Sequence, residues 1–456
     1  MMARLSLADA AAQFGGTLTN PDCQFSRVCI DTRIVNNGDL FIAIKGPTHD
    51  AHDYLDKIET EICGAVVSTF CPHRGVAQWV VRDTTIALGD LAKLRREMFD
   101  GPVIAVTGSS GKTSVKEFVA AILKRCGTVH STLGNYNNQI GVPLTILSLP
   151  QSAEFLVLEM GANKIGDIKY LCTIARPTIS LINNIQSAHI EGFGSLEGTA
   201  AAKAEIYSGL SPQGTAVINL DLEYTEDWRV ICGDRPYLTF SLSNLAANVR
   251  AEDLQLMSDG CYEFWLVTEV NSATKENRHV KLSVPGKHSV ENALAAATCS
   301  IAAGAGLKEI VSGLSSLSAL PGRLETRSLP TGGWVIDDSY NANPESAIAA
   351  IDVLARRSYR RILILGDMAE LGSQAPLLHR KVGEYAIRSG IEDLLSMGTV
   401  SRHASEIFGG KHFDTFEELI VYLEALDNTE QVTFLVKGSR SSAMERVAEY
   451  LYGRGH

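Results

Sequence analysis

The chain has 456 residues, of which 45% are hydrophobic and 20% are charged, as in an ordinary globular protein with room for about three domains. The formal net charge of −11 supplies no broad basic surface, which argues against a nucleic-acid-binding protein. No apolar run reaches the length of a membrane span, and nine scattered cysteines without a C-x-x-C pair fit a reduced compartment. We therefore expect a cytoplasmic protein.

Residues 1–84 predict a small α/β unit. Helical spacing over Leu5–Phe14 is followed by apolar runs that predict strands, among them Leu40–Ile44. Between these lie Ser26, the tripeptide Asp31-Thr32-Arg33 and the pair Lys45-Gly46. On composition alone, these polar residues indicate a capped turn and a solvated strand edge.

Residues 85–320 predict a nucleotide-binding domain, because Ile104–Ser114 combines a short apolar run, a glycine-rich turn and the start of a helix. The turn reads T-G-x-x-G-K-T, with Val106 where the general phosphate-loop pattern has glycine. Gly108 and Gly111 allow backbone N–H groups to approach an anion. Lys112 can reach the β- and γ-phosphates of ATP, and the Thr113 hydroxyl can bind Mg²⁺.

Further strands alternate with helices, which favours a mostly parallel sheet with its site at the carboxyl ends of the strands. Glu159 follows the apolar strand Phe155–Leu158 and could supply a carboxylate to Mg²⁺. His189 could bind a metal, but a lone histidine is more often a surface or packing residue. Lys203 lies on an alanine-rich helix, and composition alone does not exclude a solvated lysine.

Residues 321–456, after the Pro-Gly signal of a linker, predict a second α/β pattern. Strands at Trp334–Ile336, Arg361–Leu365 and Val432–Val436 each run into a polar turn. The last turn, Lys437-Gly-Ser-Arg440, predicts an anion site formed by a helix amino end and two basic side chains. A G-x-G-x-x-G fingerprint does not occur in this part of the sequence, so a nicotinamide cofactor is not expected.

Taken together, these motifs resemble the Mur ligase family of bacterial cell-wall synthesis, in family order and over nearly the whole chain. The closest likeness is to the type that joins D-alanyl-D-alanine to UDP-N-acetylmuramoyl-tripeptide. The segments that carry the resemblance are Thr107–Glu117, Leu133–Leu144, Glu159–Asn163, Asp338–Pro344 and Val436–Arg440.

The resemblance implies three α/β domains: an N-terminal UDP-binding domain, a central phosphate-loop domain with a parallel sheet, and a C-terminal Rossmann-like domain. It also implies an ATP-dependent, ADP-forming amide ligase that works through an acyl phosphate, with the UDP-muramoyl-tripeptide and D-alanyl-D-alanine as substrates. We expect a monomer that uses two Mg²⁺ ions.

The resemblance further implies roles for individual residues. The ATP-binding residues would be Thr107, Gly108, Ser109, Ser110, Gly111, Lys112, Thr113, Ser114, Asn292 and Arg323. The residues that act in catalysis would be Lys112, Lys203, His189 and Asp338. The Mg²⁺ ligands would be Thr113, Glu159, His189 and Lys203, the last as a carbamate. The substrate-binding residues would be Ser26, Asp31, Thr32, Arg33, Lys45 and Gly46 for the uridine diphosphate, Asn135, Asn137 and Asn138 for the muramoyl-peptide, and Asn341, Lys437, Ser439 and Arg440 for the dipeptide.

The chain departs from the family pattern at a few positions. Ser289 stands where the family has asparagine, which leaves the role of that side chain in nucleotide binding open. Ala51 replaces the expected glycine of an Asp-Gly-His turn, and the adjoining Thr48-His49 also differs. These positions concern packing or substrate fit, and the phosphate and metal residues are intact.

Two other interpretations compete with this one. The first is another three-domain amide ligase of the same superfamily, acting on folate or on a cyanophycin-type peptide. The second is a phosphate-loop switch that hydrolyses ATP to move a partner. The switch is disfavoured because the sequence offers no obvious water-orienting glutamine or arginine finger, and because two further α/β domains would be superfluous.

Overall fold

The computed structural model describes residues 4–19, 21–72, 75–187, 190–270, 275–329, 332–426 and 431–453. Its sheets fall within the three predicted ranges, and the α/β architecture expected from the sequence is confirmed. None of the helices in these ranges combines the length and apolar character needed to cross a membrane.

The first unit is built around a mostly parallel sheet in which β2-β7-β6-β5-β4 are neighbours, with β2 antiparallel at one edge. A separate antiparallel pair is formed by β1 and β3, which flank β2 along the chain. The elements are β1 (Leu5–Ser6), α1 (Leu7–Phe14), β2 (Thr17–Thr19), β3 (Gln24–Phe25), β4 (Val28–Cys29), β5 (Asp39–Ile42), α2 (Leu55–Ile58), β6 (Ile62–Val67), β7 (Ala77–Val80) and the connecting helix α3 (Thr84–Glu97).

The central unit carries the longest sheet, with the strand order β16-β15-β14-β13-β12-β11-β8-β10-β9. Its elements are β8 (Val103–Thr107), α4 (Lys112–Leu123), β9 (Val129–Ser131), α5 (Gly141–Leu147), β10 (Phe155–Glu159), α6 (Asp167–Ala175), β11 (Ile179–Ile182), α7 (Ile190–Phe193), α8 (Leu196–Ser208), β12 (Thr215–Asn219), α9 (Thr225–Cys232), β13 (Tyr237–Ser241), β14 (Val249–Leu256), β15 (Tyr262–Thr268), β16 (Glu276–Lys281), α10 (Lys287–Ala302) and α11 (Leu307–Ser316).

In the order of the sheet, all neighbouring strands from β9 at one edge through β8 to β14 pair in parallel. The strands β14, β15 and β16 then form an antiparallel extension at the other edge. Strand β8 lies inside the parallel part and is covered on both faces. Val103 and Ala105 join one hydrophobic core, and Ile104 and Val106 join the other. A strand buried on both faces needs a continuous apolar run, which explains why β8 could be predicted from sequence.

The C-terminal unit has a sheet in the order β17-β18-β22-β19-β20-β21, parallel except for β17 at its edge. Its elements are β17 (Glu325–Ser328), β18 (Trp334–Asp338), α12 (Pro344–Ala355), β19 (Arg360–Gly366), α13 (Ala375–Arg388), β20 (Asp393–Met397), α14 (Arg402–Phe408), β21 (Lys411–Phe413), α15 (Phe416–Glu424), β22 (Val432–Lys437) and α16 (Glu445–Gly453).

The helix expected directly after Arg440 is displaced. Residues Arg440–Ser442 form a 3-10 turn, and Ala443 adopts a left-handed backbone with φ of 48°. That conformation interrupts helical hydrogen bonding, so α16 begins at Glu445.

One core connects the first and central units. It contains Leu7 and Trp79 from the first unit, Leu88 and Leu91 from α3, and Trp228 from the central unit. Helix α3 therefore packs the first unit onto the central one. The residues at which the units divide, 84 and 320, stay predictions.

Candidate active site

The phosphate loop lies where β8 ends. The Thr107 hydroxyl donates to the carbonyl of Met160 at 2.8 Å, which fixes the start of the loop to the neighbouring strand β10. Gly111 has φ of 73°, and a Cβ atom there would lie 2.5 Å from Asn292 Oδ1 and 2.6 Å from Asn183 Nδ2. Both the backbone and the space thus require glycine at position 111.

Lys112 is the first residue of α4, and its Nζ donates to the carbonyl of Gly108 at 2.8 Å. The ammonium therefore folds back over the loop. Burial lowers the pKa of Lys112, and the nearby Glu159 carboxylate partly opposes this effect. Ser109, Ser110, Gly111, Thr113 and Ser114 line the same cavity as Lys112.

Thr113 and Glu159 meet at the end of β10. The Thr113 hydroxyl donates to Glu159 Oε2 at 2.8 Å, and Asn137 Nδ2 donates to Oε1 at 2.7 Å. Arg323 Nη2 also reaches the Thr113 hydroxyl, at 2.9 Å. Among the described residues no cluster holds three or more His, Cys, Asp or Glu ligands. A hydroxyl beside one carboxylate nevertheless fits Mg²⁺, which takes few protein ligands and completes its shell with phosphates and water.

Lys203 lies on α8 and is 1% exposed. Burial lowers its pKa well below the usual range, and the positive charge of Lys112 adds to this effect. Its Nζ lies 5.8 Å from the centroid of the Phe193 ring. Lys203 is therefore not the solvated surface lysine that composition alone allowed. His189 lies outside the described residues.

The C-terminal unit forms the opposite wall of the cavity with Asp338, Asn341, Lys437 and Arg440. Lys437 is 2% exposed; its Nζ donates to the Asp338 carboxylate and to the carbonyl of Asn341, the latter at 3.0 Å. Ser439 is not among the lining residues, and its hydroxyl donates to the Asp367 carbonyl at 2.7 Å.

Asn135, Asn137 and Asn138 also line the cavity. Asn138 Oδ1 accepts hydrogen bonds from the backbone N–H groups of Ile140 and Gly141 at 3.1 and 2.9 Å. These hydrogen bonds fix the backbone at the start of α5. In the same way, the hydrogen bond from Asn137 fixes the Glu159 carboxylate. The side chains of Asn137 and Asn138 therefore have structural partners as well as access to the cavity.

The first-unit residues form a different group, because none of Ser26, Asp31, Thr32, Arg33, Lys45 and Gly46 lines this cavity. Asp31 caps the 3-10 turn Thr32–Ile34 and pairs with Arg33 at 2.7 Å. The hydrogen bonds from Arg33 lower the pKa of Asp31 to about 2. The capped turn is thus confirmed, and a role of these residues in uridine binding stays a prediction.

Two of the three departures from the family pattern, Ser289 and Ala51, are accommodated locally. Ser289 lines the cavity at the start of α10, and its hydroxyl donates to the Pro285 carbonyl at 2.7 Å. Ala51 opens a 3-10 turn and is not among the residues with positive φ, so alanine fits its backbone without strain.

Gln186 was not singled out from sequence, yet it contacts both sides of the cavity. Its Oε1 accepts from the Ser110 hydroxyl at 2.7 Å and from Asn343 Nδ2 at 3.5 Å. Close by, the Ser187 N–H donates to Glu345 Oε1 at 3.2 Å, while Glu345 Oε2 is buried and has no hydrogen-bond partner among the described residues. The position of Gln186 just beyond β11, which pairs with β8, was the available signal.

Together these residues enclose a cavity of about 380 Å³ between the central and C-terminal units. One wall is a phosphate loop with a magnesium-type pair, and the other presents Lys437 and Arg440. Such a cavity can hold a nucleoside triphosphate at one wall and a second, anionic reactant at the other.

The comparisons with known proteins agree with this geometry. The Mur ligase middle domain matches residues 106–300, and the Mur ligase glutamate ligase domain matches residues 322–440. The UDP-N-acetylmuramoyl-tripeptide–D-alanyl-D-alanine ligase of Escherichia coli is 42% identical over 456 residues, covering 100% of both chains.

Among solved structures, a crystal structure of MurF from Acinetobacter baumannii superposes with a TM-score of 0.92 at 32% identity, covering 99% of this chain and 100% of that one. MurF from Thermotoga maritima, in complex with ADP, matches with a TM-score of 0.82 at 28% identity, covering 93% of this chain and 97% of that one. With full-length identity to a curated relative and both domain matches in order, this chain belongs to the Mur ligase family.

Proposed function

We propose that this chain joins D-alanyl-D-alanine to UDP-N-acetylmuramoyl-tripeptide, with conversion of ATP to ADP and phosphate. The product is the UDP-muramoyl-pentapeptide that peptidoglycan synthesis consumes. The single observation that carries the proposal is the cavity that sets the phosphate loop and Glu159 opposite Lys437 and Arg440. The relatives named for this reaction, one of them aligned over its full length, support the substrates.

The first chemical step brings two anions together. The terminal carboxylate of the tripeptide attacks the γ-phosphorus, the bond to the β-phosphate oxygen breaks, and ADP leaves. Lys112 lies on the loop where its charge can offset the repulsion between the reactants. Backbone N–H groups at the amino end of α4 add partial positive charge at the same place.

In the second step the free amine of D-alanyl-D-alanine attacks the acyl carbon. The new C–N bond forms as the C–O bond to phosphate breaks, and the amine loses a proton. Water must be kept away from the acyl phosphate, which is the advantage of a cavity closed by two units. Lys437, Asn341, Ser439 and Arg440 are proposed to bind the dipeptide, with Asp338 orienting Lys437 through their ion pair.

Thr113 and Glu159 are proposed to hold Mg²⁺ beside the β- and γ-phosphates. A bound Mg²⁺ neutralises developing charge on the phosphate oxygens. The hydrogen bond from Asn137 fixes the Glu159 carboxylate, and Arg323 fixes the Thr113 hydroxyl. His189 is proposed as a ligand of a second ion.

Lys203 is proposed to react with CO₂: the neutral amine forms an N–C bond as one C=O π bond opens to a carboxylate oxygen, and the nitrogen releases a proton, which leaves a carbamate. An amine must be neutral to attack CO₂, and an ordinary lysine is almost fully protonated at neutral pH. Burial of Lys203 favours the neutral form, which supports the proposal. The carbamate would be an anion suited to Mg²⁺.

The uridine end of the substrate is proposed to bind the first unit at Ser26, Asp31, Thr32, Arg33, Lys45 and Gly46. The side chains of Arg33 and Lys45 are 85% and 76% exposed, so both are available to a diphosphate. Asp31 would orient Arg33 through its ion pair. Asn135 and its neighbours would then contact the muramoyl-peptide between the two sites.

We further propose that the protein acts as a monomer in the cytoplasm, where its product supports cell shape and division. The decisive experiment measures ADP release with ATP and Mg²⁺ when UDP-muramoyl-tripeptide and D-alanyl-D-alanine are added singly and together. Turnover only with both, and a product heavier by one dipeptide, is expected. Equal release without either substrate would reject the ligase in favour of an ATP-hydrolysing switch.

A further inference from the structure

Two cysteines far apart in the chain lie side by side in the first unit. The Sγ atoms of Cys23 and Cys63 are 3.6 Å apart, although 40 positions separate the residues in sequence. Cys23 directly precedes β3, and Cys63 is the second residue of β6. All nine cysteines are free thiols in this structure.

The pair is held in place by its backbone surroundings. A Cβ atom on Gly64 would lie 2.6 Å from Cys23 Sγ, so the sulfur rests directly against the β6 backbone. The Cys23 carbonyl accepts a hydrogen bond from the Leu7 N–H at 3.3 Å. Neither cysteine can therefore move far from the other without displacing the backbone of a strand.

Both thiols are partly exposed, so a small oxidant can reach them. They also differ in acidity. The hydrogen bond between them raises the pKa of Cys23 and lowers the pKa of Cys63. Because the thiolate is the nucleophile, Cys63 is the better attacking group of the two.

We propose that Cys23 and Cys63 are a modification site at which a peroxide forms a reversible disulfide. The Cys63 thiolate attacks a peroxide oxygen, forming an S–O bond as the O–O bond breaks, and the hydroxide released takes a proton to become water. Cys23 then attacks the Cys63 sulfur, the S–S bond forms, the S–O bond breaks, and a second water leaves with the Cys23 proton. Two thiols lose two electrons, and one hydrogen peroxide is reduced to two waters.

The geometry demands only a small movement. A disulfide needs an S–S distance of about 2.0 Å, so the sulfurs must approach by about 1.6 Å from their present separation of 3.6 Å. The bond would fasten the segment that leads into β3 to the middle of the first sheet. Closing this long loop should raise the midpoint of thermal unfolding of the oxidised protein.

The test treats the full chain with one equivalent of hydrogen peroxide, blocks remaining thiols with iodoacetamide and analyses the peptides by mass spectrometry. We expect a peptide pair linked through Cys23 and Cys63, lighter by two hydrogens, which disappears with dithiothreitol. It should form at least about ten times faster than the exposed Cys126 is oxidised, because the hydrogen bond with Cys23 lowers the pKa of Cys63 whereas burial raises the pKa of Cys126, and the thiolate is the form that attacks peroxide. The proposal is overturned if Cys23 and Cys63 stay unlinked and iodoacetamide alkylates them as readily as before peroxide treatment.

Single variants separate this site from general oxidation. In Cys23→Ser the sulfenic acid on Cys63 should persist and be trapped by dimedone, and the thermal midpoint should not rise with peroxide. In Cys126→Ser, the matched control, the linked pair and the rise should both remain. Linkage of Cys63 to Cys71 or another thiol in place of Cys23 would also count against the proposal.

Discussion

At the scale of single residues, Glu159 is the carboxylate on which the proposed magnesium site depends. It is 2% exposed, and its oxygens are occupied by hydrogen bonds from Thr113 and Asn137. These hydrogen-bond partners are neutral, so a buried carboxylate needs a nearby cation: Lys112 interacts with it electrostatically, and a bound metal would add to that stabilisation. The hydrogen bonds fix its direction, and the charge is left for a metal.

Glu159→Gln should therefore keep the shape of the site and remove its charge. We expect kcat to fall by at least about 100-fold and the Mg²⁺ requirement to rise, because stabilisation of the phosphate charge is lost. Steady-state ADP release over a Mg²⁺ titration measures both. The control is Glu154→Gln, the same substitution at the residue that directly precedes β10. It should leave kcat and the Mg²⁺ requirement near wild type. Unchanged Mg²⁺ dependence in Glu159→Gln would contradict the assignment.

The burial of Lys203 leads us to predict that the stability of the protein depends on pH. Burial lowers its pKa in the folded state, so the unfolded chain binds more protons between the folded pKa and about 10.4. Stability should thus increase with pH across that window. Lys203→Met should raise the free energy of unfolding at pH 7 by about 1–3 kcal/mol, and the gain should shrink towards pH 10.

Urea unfolding of wild type and Lys203→Met at several pH values, in buffer freed of CO₂, tests this expectation. Lys169→Met changes an exposed lysine and should show no such pH-dependent gain. A gain that stays constant up to pH 10 would show that the lysine is charged in the folded protein. Added bicarbonate should stabilise the wild type alone if the carbamate forms.

The residues that could be predicted from sequence are those whose role is local. Lys112, Thr113 and Glu159 sit in a recognisable order of strand, loop and helix, and they meet in the cavity. Gln186 and Glu345 could not be found in this way. Their contacts join residues 157 and 158 positions apart and cross from one unit to another.

At the scale of elements, the residue that caps helix α12 also takes part in the contacts around the cavity. Asn343 is its N-cap, with a reciprocal capping box that includes Ser346. The same side chain also reaches Gln186 at 3.5 Å. The helix start is therefore fixed by its own sequence and joined to the phosphate loop through Gln186 and Ser110.

Asn343→Ala should cost about 1 kcal/mol of unfolding free energy through the lost cap. It should also reduce kcat/KM, because Gln186 loses a partner on the C-terminal wall. Thr415→Ala removes the N-cap of α15, whose hydroxyl accepts from the Glu418 N–H at 3.2 Å, and α15 does not line the cavity. That control should lose similar stability and keep its activity. Equal kcat/KM in both variants would mean that the Gln186 contact is only structural.

Strands that are buried on both faces could be predicted closely from the sequence. The apolar runs of β8, β10 and β22 carry their own signal, and the structure places each within about a residue of its expected range. The strands β14, β15 and β16, which pair antiparallel, are more polar and carry a weaker signal in the sequence. In β16 buried and exposed side chains do not alternate clearly. Val280 is buried, and the other residues of the strand are exposed.

At the scale of the whole molecule, the nucleotide should stabilise more than its own loop. Arg323 reaches Thr113 and lies 4.1 Å from the centroid of the Tyr340 ring, so a ligand at the loop is coupled to the C-terminal unit. ATP with Mg²⁺ at about 100 times its Kd should add about 2.7 kcal/mol to the unfolding free energy.

Thermal unfolding over an ATP titration tests this coupling. The transition should shift upward as one step, and Lys112→Met should abolish the shift while leaving the ligand-free midpoint near wild type. Arg323→Lys keeps the charge but loses the planar stacking on Tyr340, so the shift should become smaller. A C-terminal transition unaffected by ATP would show that the two units respond separately.

The antiparallel extension of the central sheet has a consequence for how copies of the protein meet. Its outermost strand, β16, reads Glu-Asn-Arg-His-Val-Lys, and all of these side chains except Val280 are exposed. An open edge strand offers unpaired backbone groups to another chain, and charged side chains oppose that pairing. The strand therefore protects the longest sheet from edge-to-edge aggregation while its single valine seals the core beneath it.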